Sequence, residues 1–374
     1  MSKFDNIRPF YDVEVNEALC KVAEHPMMKA MMSFSFPELD EKVWVEQLKR
    51  THSIRDFQCN FIYHALMKVL ENSSDGLTTS GFEKLDKHTP YLYISNHRDI
   101  ILDTSLLNAC LFDNGLVMTA SAIGDNLIKK SFLNILAKLN RNFLVQRGLS
   151  PRELLQSSKL MSEYIGQLIL RENRSVWIAQ REGRTKDGND STHPGVLKML
   201  SMASEEKVLM DHFKKLKIVP VSISYEYDPT DALKMPQLVA KANDEIYVKD
   251  ENEDFMTLLK GIMGQKKRIH IHVGDVLDKV KIEFDNSNKQ IQALAQAIDD
   301  SILNSYKLWP TNYIAYDILN NTTKYSHLYT EKEKSLFERR LEIRIDENNP
   351  VEMQGFLAMY ANPVVNKSKY ENAI

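Results

Sequence analysis

The sequence lacks several things, and each absence closes a class of function. Its 374 residues hold three cysteines, Cys20, Cys59 and Cys110, far apart and odd in number. That fits neither a disulfide framework nor a zinc site. No run of about 18 apolar residues occurs, the length needed to span a bilayer, and the opening MSKFDNIRPFYDVEV has no apolar core of the signal-peptide kind. The net charge of −3 supplies no global positive field, so no nucleic-acid partner is expected. Gly-x-Ser-x-Gly, Gly-x-Gly-x-x-Gly and the phosphate-loop motif are missing, which argues against a serine hydrolase and against nucleotide cofactors held that way. His97-Arg98-Asp99 spells the start of the protein-kinase catalytic loop, but Thr104 stands where that loop needs Asn. A cytoplasmic protein is expected. Peripheral contact with the inner face of the cell membrane stays open, since it needs no spanning segment.

What remains is ordinary globular composition, 43% hydrophobic and 26% charged, in a chain long enough for a large core with additions. Residues 1–78 form a helical N-terminal region, with apolar residues at helical spacing in CNFIYHALMKVL and a loop by composition in NSSDGLTTSG (72–81). Residues 79–285 change texture. Strand-like runs appear at YLYIS (91–95), LVMTA (116–120), FLVQ (143–146), SVWIAQ (175–180), IVPVSISYEY (218–227) and RIHIHVG (268–274), with helical patterns between. One of those helices opens on a capping box, Ser150-Pro151 followed by Glu153. The alternation predicts an α/β domain with a mixed, largely parallel sheet flanked by helices. Residues 286–374 read as a helical C-terminal region, with a second capping box at Thr330-Glu331-Lys332-Glu333.

Four segments can carry chemistry. In YLYISNHRDIILDTSLLN (91–108) a strand ends just before Asn96, His97, Arg98 and Asp99, with Asp103 further on. Strand ends of this kind are where α/β sheets bind ligands, and a carboxylate beside a histidine fixes its tautomer for acid–base work. In RNFLVQRG, Arg147 ends a strand shortly before a helix N-terminus, a favourable place for phosphate. In SVWIAQREGRTKDGND a strand runs into Arg181, Glu182, Gly183, Arg184, Thr185 and Lys186; three cations and a turn glycine suit a phosphate grip. In KIVPVSISYEYDP, Pro220 inside an apolar strand predicts an edge, a bulge or a strand lining a cleft.

Taken in order, SNHRDIILD, FLVQR, WIAQREGRT and IVPVSISYE resemble the four motifs of the phospholipid and glycerol acyltransferase family, which includes glycerol-3-phosphate and 1-acylglycerol-3-phosphate acyltransferases. The resemblance spans roughly residues 82–280. It implies acyl transfer from acyl-CoA or acyl-carrier protein, as co-substrate rather than cofactor, to a hydroxyl of a phosphate-bearing glycerolipid in phospholipid biosynthesis. His97 would be the general base, oriented by a carboxylate. Asn96, Arg98, Arg147, Glu182, Gly183, Arg184 and Lys186 would bind substrate. Two departures stand out. The family spacing puts the carboxylate at position 102, which is Leu, so Asp103 and Asp99 are both candidates; a one-residue step on a helix turns a side chain by about 100°, and Asp103 is favoured because a local bulge at the strand-to-helix turn can absorb it. The third motif is also one residue short, with Arg184 directly after Gly183. An aminolipid acceptor, or a non-catalytic lipid-binding scaffold, are the alternatives these departures leave.

Two further segments admit other roles. HPMMKAMMSFSF (25–36) could be an interfacial or acyl-pocket surface, or plain helical core. His270 and His272 alternate on a strand, but no further ligand set completes a site around them, and no metal is expected.

Overall fold

The computed structural model describes residues 2–282 and 284–371. Seven strands are built from the apolar runs: β1 Ser74–Ser80, β2 Leu92–Ser95, β3 Thr119–Gly124, β4 Asn142–Val145, β5 Ser175–Ala179, β6 Ile218–Tyr225 and β7 Lys267–Val273. They form one sheet in the order β1-β7-β6-β2-β5-β3-β4. Every neighbouring pair is parallel except β6 and β7. The sheet is therefore mostly parallel and mixed, with helices on both faces, as the alternation of elements predicts.

β2 and β6 are buried along their whole length, the pattern of a strand covered on both faces. Leu92, Ile94, Val176 and Ile178 point to one side, where the N-terminal helices and the helix Pro151–Leu170 pack. Tyr93, Trp177, Val219 and Val221 point to the other, against helix α1, Leu102–Asp113. A third cluster joins Tyr227 and Met235 of helix α2, Asp231–Ala242, to Phe337 of α3, Glu331–Arg344, and Phe356 of α4, Pro350–Glu371. The expected capping boxes at Ser150 and Thr330 are both formed. No helix among the described residues is long and apolar enough to cross a membrane.

Three local expectations are corrected. The segment 72–81 is not a loop: Ser74–Ser80 pairs with β7 as an edge strand. Its Ser, Asp, Thr and Gly content reads as a turn, and only the partner strand overrides it. The third strand lies at 119–124 rather than 116–120, because its small residues hide it while the preceding apolar LVM is drawn toward the core. Pro220 lies at no edge. It sits inside β6, at the point where β7 stops pairing: the β6–β7 register begins at Val221–Val273, and Pro220 O accepts from Gly274 N at 2.8 Å. Its missing donor faces that open end, so no ladder bond is lost. Of the two readings of the methionine-rich segment, Met28 and Met32 follow the core one, being wholly buried on the helix Pro26–Ser35.

Gly81, at φ +87°, links β1 to the domain, and a Cβ there would overlap the Val273 carbonyl oxygen. Gly81→Ala is expected to lower stability by roughly 2–3 kcal/mol in urea unfolding, from combined strain and overlap.

Candidate active site

β2 ends between its parallel neighbours β5 and β6, and the chain turns there. Asn96 fixes the turn: its Oδ1 accepts from Ile223 N at 2.8 Å and its Nδ2 donates to Ile223 O at 2.9 Å. Both ends of the buried amide are thus tied to β6. The expectation that Asn96 binds substrate is corrected, since it acts as an extra rung of the sheet and aims the next residue outward.

That residue is His97. Its Nδ1 lies 2.8 Å from Asp103 Oδ2, its ring packs edge-on against Trp177, and its side chain is 14% exposed. With Nδ1 bonded to a carboxylate, Nε2 is the nitrogen left for a ligand. Asp103 is wholly buried and gathers three more donors: Arg98 N at 2.6 Å, Asp99 N at 3.1 Å and Tyr225 Oη at 2.8 Å. Asp99 takes another part. Its Oδ1 accepts from Ile101 N and Leu102 N, both at 2.9 Å, and so caps α1. Burial foremost, then the neighbouring Asp103, raises its carboxyl above the usual range. Of the two candidate carboxylates, Asp103 reaches the histidine ring and Asp99 does not. The turn between β2 and α1 absorbs the one-residue displacement.

Arg98 points inward, against expectation. Its guanidinium makes a two-pronged pair with Asp190 at 2.9 and 2.6 Å, both side chains being nearly inaccessible. Thr185 Oγ1 donates to the same Asp190 at 2.8 Å. Lys234, also buried, pairs with Asp228 and donates to Arg98 O at 3.3 Å. Arg98 therefore joins the turn to the loop 181–190 and is not available to a substrate.

That loop carries the remaining candidates. Gly183, at φ +70°, permits the tight bend, and Thr185 N donates to His97 O at 2.9 Å, which docks the loop beside the histidine. Arg147 pairs with Glu182, whose side chain is 77% exposed. An ion pair so wet is worth little and leaves Arg147 free to exchange partners. Arg184 donates to Thr230 Oγ1 at 3.4 Å and has no ion-pair partner among the described residues. Lys186 has none either. Burial, then Arg184, Lys234 and Lys249, push its amine down to about 6. It lines a cavity of about 530 Å³ together with Arg181, Asp187, Lys241, Glu245 and Tyr247.

The sequence reading missed Tyr225, Trp177, Asp190 and Lys234. Tyr225 ends an apolar strand, a position that could have flagged it; the other three are recognisable only by contacts across the fold. His270 and His272 bond Thr78 and Ser80. Among the described residues no group of three His, Cys, Asp or Glu could hold a metal ion.

Residues 76–224 match the family model described as Acyltransferase, a span that holds His97, Asp103, Arg147, Glu182, Arg184 and Lys186. A solved structure of the 1-acyl-sn-glycerophosphate (LPA) acyltransferase PlsC from Thermotoga maritima is similar over 77% of this chain and 95% of that one, with 13% identity and a TM-score of 0.36. No curated protein matches this chain.

Removing Arg98 strands the buried charge of Asp190. Arg98→Ala is expected to cost about 3–5 kcal/mol of stability, read by denaturant unfolding. A variant of unchanged stability would contradict the structural assignment of this arginine.

Proposed function

We propose that the chain moves a fatty acyl group from acyl-CoA or acyl-carrier protein to a hydroxyl of glycerol-3-phosphate or 1-acylglycerol-3-phosphate, with His97 as general base, a reading supported by the match of residues 76–224 to the family model described as Acyltransferase. The observation that carries this reading is the His97–Asp103 pair at a strand end, beside a loop whose Arg184 and Lys186 form no ion pair among the described residues. His97 Nε2 takes the proton of the acceptor hydroxyl as its oxygen attacks the thioester carbonyl. The tetrahedral intermediate collapses, the carbon–sulfur bond breaks, and the imidazolium returns the proton to the leaving thiolate. Asp103 holds Nδ1–H and balances the positive charge in between. Arg184, Lys186 and an Arg147 released from Glu182 would hold the acceptor's phosphate. The acyl donor is a co-substrate and no cofactor enters. Peripheral contact with the membrane would bring the lipid to the site.

An aminolipid acceptor is the second reading, favoured by the shortened third motif. A non-catalytic scaffold has less support, because the displaced carboxylate that motivates it is within hydrogen-bonding distance of His97.

The test uses labelled acyl-CoA and acyl-carrier protein as donors. Glycerol-3-phosphate, 1-acylglycerol-3-phosphate and a lyso-aminolipid serve as acceptors. His97→Ala is expected to lower kcat/KM by about a thousandfold; equal activity in that variant removes His97 as the base.

Lys186 adds a pH signature. With its amine near 6, it is largely neutral at about pH 7.5 in the free protein. A bound phosphate dianion favours its charged form and raises that value. Acceptor binding should therefore take up close to one proton at pH 7.5 and tighten as pH falls toward 7. The phosphate itself, with a second pKa of about 6, is already deprotonated and contributes no uptake. Calorimetry in buffers of different ionisation enthalpy measures this, and Lys186→Met should abolish the uptake. Uptake persisting in Lys186→Met would assign the proton elsewhere.

A further inference from the structure

The family match ends at residue 224, yet the loop bearing Arg184 and Lys186 is held from beyond it. Helix α4 lies across residues 187–189. Asn362 Nδ2 donates to Asp187 O at 2.6 Å, and Asn366 Nδ2 donates to Asn189 Oδ1 at 3.3 Å. Between these bonds Gly188, at φ +74°, lies flat against the helix, and a Cβ there would overlap the Met359 carbonyl oxygen. Both the backbone angle and the contact require glycine.

The helix is in turn anchored to the catalytic turn through buried polar groups. Tyr360 Oη donates to Asp231 Oδ2 at 2.8 Å, and Arg340 Nε donates to the same oxygen at 2.8 Å. Arg340 Nη2 donates to Asp228 O at 3.0 Å, Asp228 pairs with Lys234, and Lys234 reaches Arg98 O. Satisfied buried networks of this kind are rigid, because breaking any link leaves a desolvated polar group behind. The loop, α4 and the turn beside His97 are therefore fixed with respect to one another.

We propose that α4 is the element that sets acceptor recognition, with Asn362 and Gly188 as positioning residues that fix where Arg184 and Lys186 stand. The inference rests on reading that loop as the acceptor site. Asn362 makes no hydrogen bond to His97, Arg184 or Lys186, so its influence passes through the loop backbone at Asp187.

Asn362→Asp is the direct test: it keeps the shape, removes the donor and sets a carboxylate against the Asp187 carbonyl. Gly188→Ala is the second variant, chosen because it acts on the same contact by overlap. Loss of a buried hydrogen bond predicts an acceptor KM raised about five- to tenfold, with kcat and donor KM within about twofold. Amide hydrogen exchange should quicken across 182–190 while β2, β5 and β6 keep their protection. Unchanged acceptor KM with unchanged loop exchange overturns the proposal. A joint loss of kcat and both KM values with faster exchange throughout also overturns it, because it marks a general structural role. If the wild-type protein transfers no acyl group to any acceptor, the acceptor reading fails instead. The exchange measurement then decides alone: quickening confined to 182–190 upholds the brace, and none overturns it.

Discussion

The carboxylate of Asp103 is the constraint around which the rest of the site is arranged. It lies in the first turn of α1, wholly buried, and accepts from His97 Nδ1, Arg98 N, Asp99 N and Tyr225 Oη. Four donors from two segments converge on two oxygens. A buried carboxylate without them would be prohibitive, so the turn after β2 has to wrap back over the helix start, and β6 has to deliver its tyrosine. The sheet makes this possible. β2 lies between two parallel neighbours, Asn96 welds its end to β6, and the end of such a strand opens toward the cleft.

The charged groups around this carboxylate divide into two kinds. Arg98–Asp190, Lys234–Asp228 and Arg340–Asp231 are buried and matched. They give register rather than binding, and their removal is costly mainly because a lone charge stays behind. Arg184 and Lys186 have no ion-pair partner among the described residues, and Lys186 lines the cavity beside the loop. Burial first, and then the neighbouring cations Arg184, Lys234 and Lys249, drive the Lys186 amine down to about 6. Perturbed groups of this kind cluster at functional sites. The division explains how a loop so rich in charge can be both rigid and receptive.

Much of this was legible in the residues themselves. Short apolar runs between amphipathic stretches predict the sheet and its helical cover. The cluster Asn96-His97-Arg98-Asp99 at a strand end predicts where the chemistry lies. What the sequence could not show is which neighbours the fold supplies. Spacing favours Asp103 over Asp99 without excluding either, and only the path of the turn separates the helix cap from the histidine partner. Arg98 reads as a substrate ligand until Asp190, 92 residues away, neutralises it. The 74–80 strand has turn-like composition and is a strand only because β7 pairs with it. Pro220 reads as an edge marker because its tolerance depends on where another strand ends. In each case a local signal was overruled by a contact distant in sequence.

The most direct test of this account compares Asp103→Asn with Asp99→Asn in acyl transfer from a saturating thioester donor. Asn at 103 can keep the hydrogen bonds while removing the charge that balances the imidazolium, so kcat/KM should fall about a hundred- to thousandfold with the fold retained. Asp99→Asn should keep catalysis near the wild-type rate and show its effect in helix stability, at about 1 kcal/mol. A variant pair behaving in the opposite way, with Asp99 essential and Asp103 dispensable, would contradict the assignment on which the whole site rests.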